Sequence, residues 1–160
     1  SVIYTKVGSP IVASVMKQTH AVFGGEENGG LIFPDFQYCR DAAMSLAKIL
    51  GILTEENRPL SELISEIPSY EILKTKIVCP NETKQRVMNL LVEEMKNQHE
   101  ITSIDRTDGV KLFMKDGWVL MRPSGTEPIF RVYVEAKEKQ RAEQVMRHYK
   151  NLVASLMQRA

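Results

Sequence analysis

The chain has 160 residues, 43% of them hydrophobic and 26% charged, and its 21 Lys and Arg against 20 Asp and Glu leave a formal net charge of +1. A chain of this size can bury a core without disulfides, and its balanced charge provides no broad electrostatic grip on nucleic acid or a membrane surface. With so little net charge any anion must be gripped locally, and no apolar run approaches the roughly 18 residues that a membrane span needs.

Val2 to Thr5 is β-branched and aromatic, which predicts a strand and argues against a signal peptide. Ser9-Pro10 then sets a capping hydroxyl before a proline, ahead of Ile11, Val12, Val15 and Met16 on one helical face. Ala21-Val22-Phe23 reads as a buried strand. It runs into Gly24-Gly25-Glu26-Glu27-Asn28-Gly29-Gly30, whose glycines predict a loop rather than regular structure. Leu31 to Phe33 resumes extended structure. A helix from about Tyr38 to Leu53 presents Ala43, Leu46, Ala47, Leu50 and Leu53 at helical spacing. A polar connection over 54–59 leads to a short helix with Leu60, Leu63, Ile64 and Ile67 inward, stopped by Pro68. The domain boundary is placed there, dividing the chain into 1–67 and 68–160.

The second part opens with a strand over about Ile72 to Cys79 and a helix from about Glu82 to Gln98, with Val87, Leu90, Leu91 and Met95 on its apolar face. Asp108-Gly109 and Asp116-Gly117 are hairpin signals that separate strands near 101–105, 110–114 and 118–121. Ile129 to Glu135 alternates Phe130, Val132 and Val134 with Arg131, Tyr133 and Glu135. From Lys139 onward, Ala142, Val145, Met146, Tyr149, Leu152, Val153 and Leu156 mark an amphipathic helix. The expected architecture is α/β in the first part and α+β in the second, the latter a four-stranded antiparallel sheet covered by two helices.

Cys39 and Cys79 lack metal-ligand spacing and read as buried or half-buried free thiols, the pattern of a cytoplasmic protein. His20, His99 and His148 are scattered and read as structural or solvent-facing.

Two loops carry chemistry. Arg122-Pro123-Ser124-Gly125-Thr126-Glu127-Pro128 lies between two predicted strands. Arg122 offers a forked, always charged donor pair matched to phosphate oxygens, and Ser124 and Thr126 add hydroxyls. Gly125 lets the main chain bend so that N–H groups converge on an anion. The alternative is an ordinary long hairpin loop with Arg122 paired to a surface carboxylate. The glycine-rich loop lacks both the dinucleotide fingerprint and the lysine of a P-loop. Its Glu26 and Asn28 instead suit sugar hydroxyls, one accepting and the other both donating and accepting. Glu26 and Glu27 have no third ligand nearby to make a metal site, and a solvated acidic turn is the other reading.

Together these segments resemble the α-D-phosphohexomutase family. Gly25-Glu26-Glu27-Asn28-Gly29-Gly30 is similar to the sugar-recognition loop of that family's third domain, and Arg122 to Pro128 to the phosphate-binding loop of its fourth. Lys6-Val7-Gly8 and Arg40-Asp41-Ala42 lie where similar family segments flank the sugar loop. The resemblance implies a partial third domain, a complete fourth domain, and an isomerase that interconverts hexose 6-phosphate and hexose 1-phosphate through a phosphoserine and a bisphosphorylated sugar. By that resemblance Arg122, Ser124, Gly125 and Thr126 hold the phosphate that is not reacting, Glu26 and Asn28 grip sugar hydroxyls, Lys6 reaches the sugar phosphate, and Arg131 supports the loop. The family's serine loop and acidic Mg²⁺ loop have no match in this sequence, so no catalytic or metal-binding residue is expected in this chain. The missing N-terminal domains are its implied partners, and the chain alone is expected not to turn over. Many relatives carry histidine where Gly30 stands, so no general base is assigned. Uncovered apolar surface in residues 1 to about 60 is expected to make that part less stable than the rest. A different class of reading is a non-catalytic module that docks a protein or an anionic ligand.

Overall fold

The computed structural model describes residues 1–95 and 100–160. The chain forms two compact units, Ser1–Pro68 and Ser69–Ala160. Among the described residues no helix is long and apolar enough to cross a membrane.

The first unit is built on helix α1 (Ser9–Thr19), strands β1 (Gly24–Gly25), β2 (Leu31–Phe33) and β3 (Gln37–Arg40), and helices α2 (Ala42–Glu56) and α3 (Leu60–Ser65). The strands pair antiparallel in the order β1-β2-β3. Val12, Ala13 and Met16 of α1 bury against Ile32, forming a small core. Several expectations are corrected here. Val2 to Thr5 is not a strand, and Val2, Ile3 and Tyr4 are exposed. Strand propensity alone does not extend a segment that finds no edge to pair with. Ala21 to Phe23 is also irregular, and the strand begins instead at the glycines: Gly24 pairs with Ile32 and Gly25 with Leu31. A Cβ on Gly24 would lie 2.3 Å from Met16 Sδ, so the helix can approach this strand only where no side chain intervenes. The cap of α1 is Gly8, at φ 130°, and not the Ser9 hydroxyl.

Helix α2 starts four residues later than its spacing suggests. Asp41 accepts the Met44 N–H at Oδ1 over 2.7 Å, the N-cap bond that fixes the start of α2 at Ala42. The residues before it are thereby released to pair as β3 with β2, Arg40 opposite Ile32. Neither α2 nor α3 buries a residue, so the inward packing expected of Leu60, Ile64 and Ile67 is not found; all three are exposed. Cys39 is likewise exposed, whereas Cys79 is buried.

The second unit comprises β4 (Glu71–Val78), α4 (Lys84–Glu94), β5 (Ser103–Asp105), β6 (Val110–Met114), β7 (Gly117–Pro123), β8 (Ile129–Ala136) and α5 (Lys139–Gln158). The sheet has five antiparallel strands in the order β4-β8-β7-β6-β5, one more than the four assigned to it; the strand predicted near 101–105 is present as the short edge strand β5. Phe130, Val132, Val134 and Ala136 alternate with half-exposed residues along β8, and that face is covered by α4 and α5. Ala142, Val145, Tyr149, Val153 and Leu156 of α5 complete the core with Val87 and Leu91 of α4. The last expected residues of α4 and His99 lie outside the described residues.

Candidate functional site

In the first unit the Glu26–Gly30 turn is closed by its own main chain. Glu26 N–H donates to Gly30 O at 2.9 Å and Gly29 N–H to Glu26 O at 3.0 Å, with Gly29 at φ 88°. The Glu26 carboxylate points back toward α1, where its Oε1 accepts the Gly8 N–H at 3.0 Å. Its Oε2 lies 3.6 Å from Arg40 Nη1, and the Glu26 side chain is 13% exposed. A carboxylate at a helix N-terminus is stabilised by the unpaired N–H groups there. Glu26 is therefore both a structural anchor and an acceptor with lone pairs to spare. Asn28 is exposed, with Oδ1 accepting Gly30 N–H at 3.1 Å, which leaves its NH₂ as the outward donor. Lys6 is exposed on the segment whose Gly8 meets Glu26. The structure thus gathers Lys6-Val7-Gly8, Glu26 and Arg40 at one place. The stem of Arg40 crosses Gly30, where a Cβ would lie 2.2 Å from Arg40 Cδ. Arg40 was not among the expected site residues. Its position in a strand opposite Ile32, rather than in the first turn of a helix, is what aims it at the loop.

In the second unit the loop between β7 and β8 is a compact turn. Ser124 N–H donates to Ile129 O at 2.9 Å, and Glu127 N–H donates to Ser124 Oγ at 3.2 Å. Ser124 is buried, and it braces the turn from within. Gly125 and Thr126 are exposed at the tip. Among the described residues their two N–H groups meet no acceptor.

The cations flanking this turn stand in register. Lys76 on β4 is opposite Arg131 on β8, and Arg131 is opposite Arg122 on β7. Like charges directly opposite one another are destabilising, and two carboxylates offset them. Arg131 Nη2 is paired with Glu127, which also lies 3.8 Å from Lys76 Nζ. Arg131 Nη1 donates to the Tyr133 hydroxyl at 3.3 Å. That bond is the main reason the Arg131 pKa lies above its ordinary value; burial works against it, and Tyr133 and Glu127 add smaller upward pulls. Arg122 Nε lies 3.1 Å from Asp108 Oδ2, yet Nε is buried and its geometry forms no hydrogen bond. The carboxylate partner that the alternative reading required for Arg122 is therefore present, while the guanidinium fork is not engaged by Nε. Three cations against two carboxylates leave the tip electropositive. Lys84, absent from the expected set, holds two carbonyls behind the turn: its Nζ donates to Ser124 O and to Glu127 O, each at 2.6 Å.

Among the described residues no group of three or more His, Cys, Asp or Glu could hold a metal ion.

Family models match both parts of the chain. The phosphoglucomutase/phosphomannomutase alpha/beta/alpha domain III matches residues 1–70, and the phosphoglucomutase/phosphomannomutase C-terminal domain matches residues 78–150. A phosphoglucomutase/phosphomannomutase of Thermococcus kodakarensis is 43% identical over 159 residues, covering 99% of this chain and 33% of that protein. A phosphoglucosamine mutase of Methanocaldococcus jannaschii is 40% identical over 145 residues, covering 91% of this chain and 32% of its own length. The crystal structure of a phosphoglucomutase/phosphomannomutase family protein from Burkholderia thailandensis matches with a TM-score of 0.79 at 20% identity, over 95% of this chain and 32% of that one, a likeness of fold. The chain spans about a third of the length of the curated relatives it matches.

Proposed function

Because the chain belongs to the phosphoglucomutase/phosphomannomutase family, where it corresponds to domain III and the C-terminal domain, we propose that it is the substrate-holding part of a phosphohexomutase. The reaction is the interconversion of hexose 6-phosphate and hexose 1-phosphate through a phosphoserine and a bisphosphorylated sugar. Arg122 with the Gly125 and Thr126 N–H groups takes the phosphate that is not reacting. Ser124 and Thr126 add their hydroxyls, and Arg131 supports the turn through Glu127. Glu26 and Asn28 take sugar hydroxyls, with Lys6 beside them for the sugar's phosphoryl group. Catalysis of phosphoryl transfer rests largely on positioning and charge stabilisation, and these groups position.

The observation that carries the reading is the pair of exposed N–H groups, without a protein acceptor, at the tip of a braced turn with Arg122 at its base. Amides left without a protein acceptor at an exposed tip are open to water and equally to an anion, and the bend at Gly125 lets them converge on one. The serine that carries the phosphoryl group and the Mg²⁺ site belong to parts of the family's chain that this sequence does not contain, so this chain by itself does not turn over. A cytoplasmic setting suits phosphorylated hexoses and the two free thiols.

The test is titration with glucose 1-phosphate, mannose 1-phosphate and glucosamine 1-phosphate, with Arg122→Ala as control. One phosphate subsite without the rest of the enzyme binds weakly, with Kd of about 1 mM. Saturable binding that is lost in Arg122→Ala supports the reading; no binding by the unsubstituted chain overturns it. Mutase turnover by the chain alone would overturn the claim of inactivity. Equal binding of inorganic phosphate and every sugar phosphate would favour a general anion-binding module instead.

A further inference from the structure

Lys84 is the first residue of α4 and lies 40 residues ahead of Ser124 in sequence. Its half-buried ammonium takes the carbonyl oxygens of Ser124 and Glu127, each at 2.6 Å. These two bonds constrain more than the oxygens. The carbonyl of residue 124 and the N–H of residue 125 belong to one planar trans peptide and point in opposite directions. Drawing Ser124 O toward Lys84 therefore drives the Gly125 N–H the other way. Gly125 is exposed, and among the described residues its N–H meets no acceptor, so that N–H is left open to solvent.

The far side of the turn is fixed by the same ammonium. Glu127 O receives Lys84 and also the Ile129 N–H at 2.8 Å. An ammonium has three donors and no acceptor, so it can satisfy two carbonyls at once without presenting a lone pair to either. If Lys84 were absent, the 124–125 peptide could flip cheaply, because Gly125 has no Cβ to resist the new dihedrals. The flip would turn the amide inward and the carbonyl outward, and the tip would then present a negative dipole to an arriving anion.

We infer that Lys84 is a positioning residue of the phosphate loop, one that holds the Ser124 and Glu127 carbonyls at the back of the turn and so fixes the Gly125 N–H outward, toward an anion. The inference rests on the reading of this turn as a phosphate subsite. It assigns Lys84 no contact with the ligand.

The experiment uses the ¹⁵N-labelled chain, unsubstituted and as Lys84→Met and Lys84→Arg, with inorganic phosphate and glucose 1-phosphate as probes. Without any probe, the Gly125 and Thr126 resonances should move in Lys84→Met and return toward their original positions in Lys84→Arg, whose guanidinium can also serve two carbonyls. The Trp118 and Val132 resonances should stay in place in both variants, which separates a flipped peptide from an unfolded unit. With the probes, affinity should fall about tenfold or more in Lys84→Met and only about threefold in Lys84→Arg. Unmoved Gly125 and Thr126 resonances, or an unchanged Kd in Lys84→Met, would overturn the inference. If the unsubstituted chain fails to respond to either probe, the phosphate reading falls, while the probe-free shifts still decide whether Lys84 orients the peptide. Should Lys84→Met not fold, Lys84→Arg decides: native Trp118 and Val132 positions with affinity lowered about threefold or less uphold the carbonyl clamp, and any greater loss overturns it.

Discussion

Helices α2 and α5 have the same kind of sequence and opposite fates. Both repeat apolar residues at helical spacing, yet α5 buries five of its residues and α2 buries none. Leu46, Ile49, Leu50 and Ile52 of α2 remain 58%, 39%, 54% and 50% exposed. The difference lies in what stands opposite. The periodic face of α5 meets a sheet face that alternates Phe130, Val132, Val134 and Ala136. Helix α2 meets the three-residue strand β2, whose fully buried Ile32 packs in the small core with α1. Periodicity states which face a helix would bury; only a partner surface makes the burial happen. In a chain that spans about a third of its relatives' length, a helix with an uncovered face is understandable.

The sharpest way to break this contrast is to truncate one apolar side chain in each unit. Phe130 is fully buried, so Phe130→Ala should cost about 3–5 kcal/mol. Leu50→Ala, already half in water, should change stability by about 0.5 kcal/mol or less. Denaturant midpoints on the two variants check this, and comparable losses would mean that α2 is covered in solution. Hydrogen exchange should rank the units likewise, with β8 amides outlasting those of α2 by orders of magnitude.

Next in size is Arg122→Ala. It removes a charge-assisted donor from the turn and leaves Asp108 without this cation, so hexose 1-phosphate binding should weaken by about 1.5–3 kcal/mol. Arg122→Lys should recover only part of it, because the ammonium lacks the fork. Full recovery by lysine would show that charge alone suffices there.

The two units also differ in how much of them the sequence disclosed. Strand β8 and helix α5 were legible because each buries one whole face, which stamps a period of two or 3.6 on the residues. The tip residues of the 122–128 loop were legible by chemistry, since an arginine, two hydroxyls and a glycine between strands suit an anion. Lys84 was not, because its role depends on a meeting across 40 positions and a lone lysine opening a helix has no local mark. The start of α2 was misread although Asp41 stood there as a capping residue; the apolar spacing ran on through Tyr38 and outweighed it. Val2 to Thr5 had strand composition without a neighbouring edge, and composition does not supply one. Ser124 reads as a ligand hydroxyl; its Oγ also accepts the Glu127 N–H, a bracing role that the sequence did not disclose.

A smaller effect probes the first unit's own site. Gly30→Ala places a Cβ 2.2 Å from Arg40 Cδ, and the flexible arginine must swing away from Glu26. The cost should be about 1 kcal/mol, and in an Arg40→Ala background most of it should vanish, since only the Asn28 Oδ1 at 3.2 Å then remains close. A double-mutant cycle measures this coupling. Additive losses would show that Gly30 is needed for the turn itself and not for Arg40.

The smallest expected change is at the start of α2. Asp41→Ala removes the bond to the Met44 N–H and should cost about 1 kcal/mol locally. Because α2 buries nothing, that loss has no core through which to spread. It should appear as faster exchange at Met44 and Ser45, with the denaturation midpoint of the 69–160 unit unmoved. An equal cap lost from a helix as buried as α5 would lower the stability of everything packed on it. If Asp41→Ala did lower the 69–160 midpoint, the units would be unfolding as one cooperative body, and the exposed face of α2 would have to be reckoned part of a shared core.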